Sequence, residues 1–393
     1  MTPTTPLPKP GEPMTHYVSD TPFDPYSIEV MTQEQERVFK ASQLTLMWWK
    51  FKRHRLAVIS AIFLGLLYFV VAIVEFLAPY NLHTRNVDFI HTPPQAIHLF
   101  DKGEFVGPFV YGRDMTLDMD TLKRVYRDNP EKVEPLRFFC SGDGYSFWGM
   151  VEGSFHLVCP AKDGQFFLLG SDRLGRDVFS RILYGARISL TIGLIGIIVS
   201  FTLGIVIGGL AGYHGGIFDM IVQRIIEVLQ SIPSIPLWMA LAAIMPVTWS
   251  PMLIYLGITA ILGLLDWTGL ARAVRSKLLS LREEDYVLAA QLMGAKSSRI
   301  IGRHLVPGFM SHLIATATLA IPGMILGETA LSFLGLGLRA PITSWGILLT
   351  EARSVSVIAF YPWLLFPIIP VILVILAFNF LGDGLRDAAD PYK

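Results

Sequence analysis

Residues Ile188–Gly212 read ISLTIGLIGIIVSFTLGIVIGGLAG, without one charged side chain. A membrane-crossing helix needs about 20 apolar residues to cover ~30 Å of hydrocarbon, and this run exceeds that. It carries no proline and no turn cluster, so it reads as one uninterrupted helix. Its glycines are spaced by four, at Gly204, Gly208 and Gly212, and so line one helix face. Small residues there let another helix approach closely. That neighbour is either a helix of a second subunit or another helix of this chain.

Five more stretches qualify as spans on either side of this one. They are Leu56–Leu77, Met220–Met245, Met252–Leu270, Phe309–Phe333 and Phe360–Leu381. Prolines inside the last two are tolerable where neighbouring helices or a cavity re-satisfy the backbone. The whole chain agrees: of 393 residues, 52% are hydrophobic and only 16% charged, with mean hydropathy +0.49. An average soluble domain has roughly 25% charged residues. The expected fold class is therefore an all-α polytopic membrane protein with six transmembrane helices. Lys plus Arg equals Asp plus Glu, 32 each, which argues against a nucleic-acid partner.

Orientation follows the flanking cations. Lys50, Lys52, Arg53 and Arg55 precede the first span, which predicts a cytoplasmic N-terminus. Six crossings then return the C-terminus to the cytoplasm. The segment between spans 4 and 5 carries Arg272, Arg275, Lys277, Arg282, Lys296, Arg299 and Arg303 and falls on the same side. The connection near 247–251 has no Lys or Arg and falls outside. The resulting organisation is a cytoplasmic tail and elbow helix (1–55, helical over Thr32–Arg55), span 1 (56–78), an extracytoplasmic insertion with an amphipathic segment (79–187), a core of spans 2–6 (188–381) and a cytoplasmic tail (382–393). Residues 271–307 of the core are the cytoplasmic segment. Trp48, Trp49 and Phe51 beside basic residues suit a helix lying on the membrane surface. The Pro-rich, polar first 40 residues hold no apolar core, so no cleavable leader is expected.

A polar insertion of this length should carry structure of its own, and a mixed fold is expected for it. Both cysteines, Cys140 and Cys159, lie in it. Disulfides persist outside the cytoplasm, so a Cys140–Cys159 bridge is expected.

The cytoplasmic segment Leu281–Pro307 reads LREEDYVLAAQLMGAKSSRIIGRHLVP. A polar start (Arg282, Glu283, Glu284, Asp285, Tyr286) leads into Ala289–Ala290, Gly294–Ala295 and a second helical run. An ordinary amphipathic loop could have the same polarity. The spacing, however, resembles the EAA loop of ATP-binding-cassette importer permeases: Glu-Ala-Ala, three residues, Gly, nine residues, then Ile-x-Leu-Pro. Ala289, Ala290, Gly294 and Pro307 match, whereas Leu288, His304 and Val306 replace Glu, Ile and Leu. The stretches Leu169–Leu190 (LGSDRLGRDVFSRILYGARISL), Glu328–Gly346 (ETALSFLGLGLRAPITSWG) and Asn379–Pro391 (NFLGDGLRDAADP) are similar to the second, C-type permease of dipeptide and oligopeptide importers, in that family's order.

The resemblance implies a type I importer permease, half of a translocation path for peptides in a bacterial inner membrane. It implies a second permease subunit, two ATPase subunits and an extracytoplasmic substrate-binding protein as partners, besides membrane lipid. Arg282–Tyr286, Ala289, Ala290, Gly294 and Ala295 would then dock into an ATPase subunit. ATP and Mg would sit on those ATPases, with no cofactor bound by this chain. The same architecture could import oligosaccharides, opines or metal chelates. A self-sufficient secondary transporter or intramembrane enzyme would instead need a polar catalytic set in the spans, and none is evident.

The chain has no GxxxxGK[ST] loop, so it should not hydrolyse ATP. Gly335-x-Gly337 lacks a third glycine at dinucleotide-binding spacing, and there is no HExxH motif or Cys/His cluster, so neither a catalytic residue nor a metal ligand is nominated. Charged residues in spans are costly and are functional candidates by default. Glu227 and Glu328 are candidates for the path, although Arg224 lies three residues before Glu227 and can simply pair with it. Asp266 is placed near the cytoplasmic end of span 4, facing water.

Overall fold

The computed structural model describes residues 40–119, 123–162, 164–246 and 248–389. The tail expected over 1–39, the part of the elbow helix expected over 32–39 and the last residues of the C-terminal tail lie outside them. Contacts divide the chain into Met1–Leu46 and Met47–Lys393. Helix α1 (Gln43–Arg53) starts where Ser42 Oγ accepts from Thr45 N at 3.3 Å and ends in Lys50, Lys52 and Arg53. Trp48 stacks on Phe51 at 5.8 Å and is half exposed, as a surface-lying helix requires.

Among the described residues, five helices are long and apolar enough to cross a membrane, or six if one sharply bent pair is counted as a single crossing. Span 1 is α2 (Arg55–Ala72), capped by His54, whose ring nitrogen accepts from Ala57 N at 3.2 Å. It breaks at Ile73 before the single turn α3 (Val74–Leu77). Span 2, α4 (Val178–His214), starts ten residues before the expected boundary. Arg181 and Arg187 in that added stretch are both paired with buried carboxylates, Asp172 and Glu75. Asp177 caps α4, accepting from Ser180 N at 2.7 Å.

The third segment departs most from expectation. Instead of one helix over Met220–Met245 there are α5 (Gly216–Ser231) and α6 (Ser234–Ile244), bent by 90°. Pro233 forces the break: it cannot donate to the ladder, and it drives Ile232 into an extended conformation (φ −95°, ψ 129°). Span 4 is α7 (Pro251–Leu281), eleven residues longer at its end than expected, with Pro251 at its first turn and Ser250 as cap. A short helix α8 (Asp285–Leu292) follows. Span 5 is continuous from Ser297. It passes through a π-turn and a 3₁₀-turn around Pro307 before the regular helix α9 (Met310–Phe333). Two short helices, α10 (Trp345–Thr350) and α11 (Val355–Phe360), precede span 6, α12 (Ile368–Ala389).

Among the described residues the insertion is mainly β, with one 3₁₀ turn at Val87–Phe89 and the first ten residues of α4 at its end, a mixed segment as expected. One sheet has the order β1 (His98–Asp101), β2 (Glu104–Asp118), β3 (Lys123–Pro135), all antiparallel. A second hairpin joins β4 (Arg137–Phe147) and β5 (Val151–Cys159). The small core is Val110, Leu136 and Phe166. Cys140 and Cys159 form a disulfide across the second hairpin, with Cα atoms 6.3 Å apart.

The hairpin tip is fastened to the break in span 1. Glu75 is buried and accepts two bonds from Arg187, each 2.7 Å. Trp148 donates its indole N–H to Ala72 O at 3.0 Å and its backbone N–H to Glu75 at 3.2 Å, and its ring covers the Arg187 guanidinium at 4.0 Å. A bidentate Arg–carboxylate pair sealed by an aromatic ring is a strong fastening.

Candidate functional site

The glycine face of α4 resolves the choice left open by the sequence. It packs within the chain, against α7. A Cβ on Gly204 would lie 2.8 Å from the Leu270 side chain. On Gly208 it would meet Ala271 O and, at 2.7 Å, Ala271 Cα; on Gly212 it would lie 2.7 Å from Arg275 O. Gly263 on α7 reciprocates, its added Cβ reaching 2.9 Å from Val199. The two backbones are therefore in direct contact over two turns and more. This seam forms one wall of the core.

Glu328 does not face an open path. It is fully buried and accepts from Ser189 Oγ at 3.1 Å, Ser332 Oγ at 2.8 Å and Ser344 Oγ at 2.6 Å. It thus joins α9, α4 and the start of α10. Trp345 completes the joint with its backbone N–H on Ser189 Oγ (3.2 Å) and its indole N–H on Ile182 O (3.1 Å). Close by, Asp172 holds Arg176 at 2.7 Å and also Arg181, which reaches Glu351 at 3.4 Å. Glu227 is exposed on α5 and pairs with Arg224 at 2.7 Å, the structural alternative named above.

The wall position belongs to Asp266. A cavity of about 640 Å³ lies between α4, the α5–α6 break, α7 and α9. Asp266 lines it together with Ser200, Gln230, Trp238, Thr268 and Thr316. Because α7 continues to Leu281, Asp266 lies near the middle of that helix rather than at its end. The sequence did carry a signal: Asp266 is an intramembrane carboxylate with no cation at helical spacing. The volume falls within the range of small-molecule sites. Elsewhere, in the insertion, a polar hollow holds Arg113, Lys132 and Glu134; burial pushes the Glu134 carboxyl up, opposed by the hydrogen bond from Gln165 N.

The 282–295 segment forms a short lever on the surface. Arg282 ends α7, Glu283 is exposed, Glu284 precedes α8 and Asp285 begins it. Val287 and Ala290 are buried against Leu278, Ile300 and Leu305, whereas Tyr286 and Ala289 face outward. Ala295 N donates to Ala290 O and Gly294 N to Gln291 O, at 3.0 and 2.9 Å, a Schellman ending with Gly294 at φ +75°. The sequence reading missed the tip: Leu292 and Met293 are 90% and 82% exposed. Gln291 also donates to Tyr213 Oη at 3.1 Å, tying the lever to the end of α4.

Comparison with known proteins adds an independent observation. Residues 204–392 match the family described as binding-protein-dependent transport system inner membrane component, and residues 42–94 match the N-terminal TM domain of oligopeptide transport permease C. The dipeptide transport system permease protein DppC of Bacillus subtilis is 41% identical over 232 residues, covering 59% of this chain and 70% of that one. The chain belongs to the permease family of binding-protein-dependent transporters. The oligopeptide permease OppC of Haemophilus influenzae is 40% identical over 245 residues (62% and 74% of the two chains). The glutathione permease GsiD of Pectobacterium atrosepticum is 43% identical over 223 residues (57% and 72%). Among solved structures, the MetNI methionine ABC transporter in inward-facing conformations is similar at 18% identity with a TM-score of 0.43, over 53% of this chain and 97% of that one. In this permease the five strands among the described residues fall at 95–203, between the two family matches. The stretches Leu169–Leu190 and Glu328–Gly346, which carried the resemblance, are the two sides of the Glu328–Trp345 joint. Gly185 and Gly346 are small there because a Cβ would press on Ser344 and on the Thr329 backbone.

Proposed function

We propose that this permease forms half of the path of an ATP-driven importer of peptides, seated in the bacterial inner membrane with both termini cytoplasmic. The observation that carries this reading is the pairing of a largely apolar cavity holding a few polar groups with an exposed apolar tip, Leu292–Met293, on the segment that joins α7 to α9. The tip suits a groove on an ATPase subunit, and the two helices suit transmission of its motion to the cavity wall. The uncovered apolar face of α5, with Ile217, Met220, Ile221 and Val228 exposed, suits contact with a second permease. The cation bias of 272–303 supports the cytoplasmic placement of the lever and the outward placement of the insertion, where it can meet a substrate-binding protein. ATP and Mg belong to the partner ATPases. The peptide cargo follows the dipeptide, oligopeptide and glutathione names of the relatives.

Uptake of radiolabelled trialanine tests the reading, in host cells stripped of their other peptide carriers. Deleting the gene should abolish uptake, and a plasmid copy should restore it. Dissipating the proton gradient while ATP is maintained should leave the initial rate within about twofold, since a gradient-coupled carrier would instead lose the zFΔψ drive of ~2.3 kcal/mol per charge at 100 mV. Uptake that disappears with the gradient contradicts the reading.

A further inference from the structure

We propose that Asp266 sorts cargo by charge within the membrane, favouring peptides that carry a cationic side chain over those that carry an anionic one. The proposal rests on the peptide reading above. Asp266 is the one ionisable residue lining the ~640 Å³ cavity among the described residues, and it is exposed to that space. Its own helix cannot neutralise it, because the residues three and four away are Leu262, Gly263, Gly269 and Leu270. No Lys, Arg or His pairs with it among the described residues. Arg275, nine residues on, is already engaged in two bonds by Asp219.

The facing elements supply only neutral groups: Ser200 from α4, Gln230 from α5, Trp238 from α6 and Thr316 from α9. Gln230 is itself turned onto Thr268 Oγ1 at 3.2 Å. A single negative charge inside low-dielectric walls is not cancelled locally, so its field extends across the cavity. A carboxylate kept unpaired in a membrane-spanning helix is costly and is retained for a purpose. The carboxylate can accept hydrogen bonds from an ammonium or guanidinium and cannot donate to an anion. Every free peptide brings one ammonium and one carboxylate, so the discrimination falls on the side chains.

The test compares initial uptake of radiolabelled Ala-Lys-Ala and Ala-Glu-Ala by cells carrying wild-type or variant chain. The ratio of the two rates is read, which removes differences in expression. The partner binding protein is common to all strains, so any change in the ratio arises in the permease. Asp266→Asn should lower the Lys/Glu ratio about fivefold, the factor that one contact between unit charges ~4 Å apart is worth in a water-filled space. Asp266→Lys should lower it further, and Asp266→Glu should keep it near the wild-type value. An unchanged ratio in Asp266→Asn overturns the proposal. Equal loss of both peptides in that variant also overturns it, whether the protein disappears from the membrane or turns over slowly, since the residue would then be structural or generally required. If wild-type cells take up neither peptide, the peptide reading fails and the proposal falls with it. If they take up both and the ratio does not respond, the reading stands and only the proposal fails.

Discussion

Replacing Gly208 with leucine is expected to break the core of the permease. The contact at Gly208 is with the backbone of α7: an added Cβ would overlap Ala271 O and approach Ala271 Cα to 2.7 Å. A rotamer change cannot relieve that, because the obstacle is main chain. The helices would have to part, and the neighbouring contacts at Gly204 and Gly212 would open with them. Overpacking in a fitted interior costs about 1–3 kcal/mol where side chains can adjust. With backbone on both sides, the upper end of that range, about 3 kcal/mol, is expected. Gly323 in α9 is the control, since nothing lies within 4 Å of a Cβ there. Thermal unfolding of the detergent-solubilised chain should show a lower midpoint for Gly208→Leu and little change for Gly323→Leu. Equal midpoints would mean that the α4–α7 seam does not hold the core.

The second large effect is expected at the lever, and it should be functional. Leu292 and Met293 are almost fully exposed, so changing both to aspartate removes no internal contact, and exposed substitutions usually stay within about ±0.5 kcal/mol. Docking into an apolar groove would nevertheless lose its anchors, and truncating central anchors of an interface commonly costs about 2 kcal/mol or more each. Transport by the double variant should therefore fall at least tenfold while the chain remains in the membrane. Gly294→Val should act in the same direction by another route. No neighbour obstructs the new side chain. A β-branched residue at φ +75° is strained by roughly 1–2 kcal/mol, however, and the turn that closes α8 should loosen. The wild-type ATPase rate with normal uptake in either variant would place the coupling surface elsewhere.

The transmembrane plan was legible because hydrocarbon thickness imposes a length, and long charge-free runs meet it. The glycine spacing on α4 was legible as a packing face, but spacing cannot say whether the neighbouring helix belongs to the same chain. The break at Pro233 was obscured because Met220–Met245 is apolar enough overall to pass as one span, and hydropathy is blind to a bend. The early start of α4 was obscured for the opposite reason. Arg181 and Arg187 look like boundary residues until their partners, Asp172 and Glu351 for one and Glu75 for the other, are brought in from distant parts of the chain. Glu328 and Asp266 show the same limit at the candidate site. Both are carboxylates within spans. One is consumed by three serines from two helices and a loop, and the other is left facing a cavity. Only the packing of α9 against α4, and of α7 against the α5–α6 break, distinguishes them.

If this chain is one wall of a larger machine whose energy enters through the 282–295 lever, native mass spectrometry of the complex, extracted gently from its own membrane, will reveal the other parts. The expected mass is that of this chain with one other permease and two ATPase subunits, and the Leu292→Asp/Met293→Asp chain should lose the ATPase that docks on it. A chain that emerges alone or only with copies of itself, at every detergent strength, would contradict that assembly.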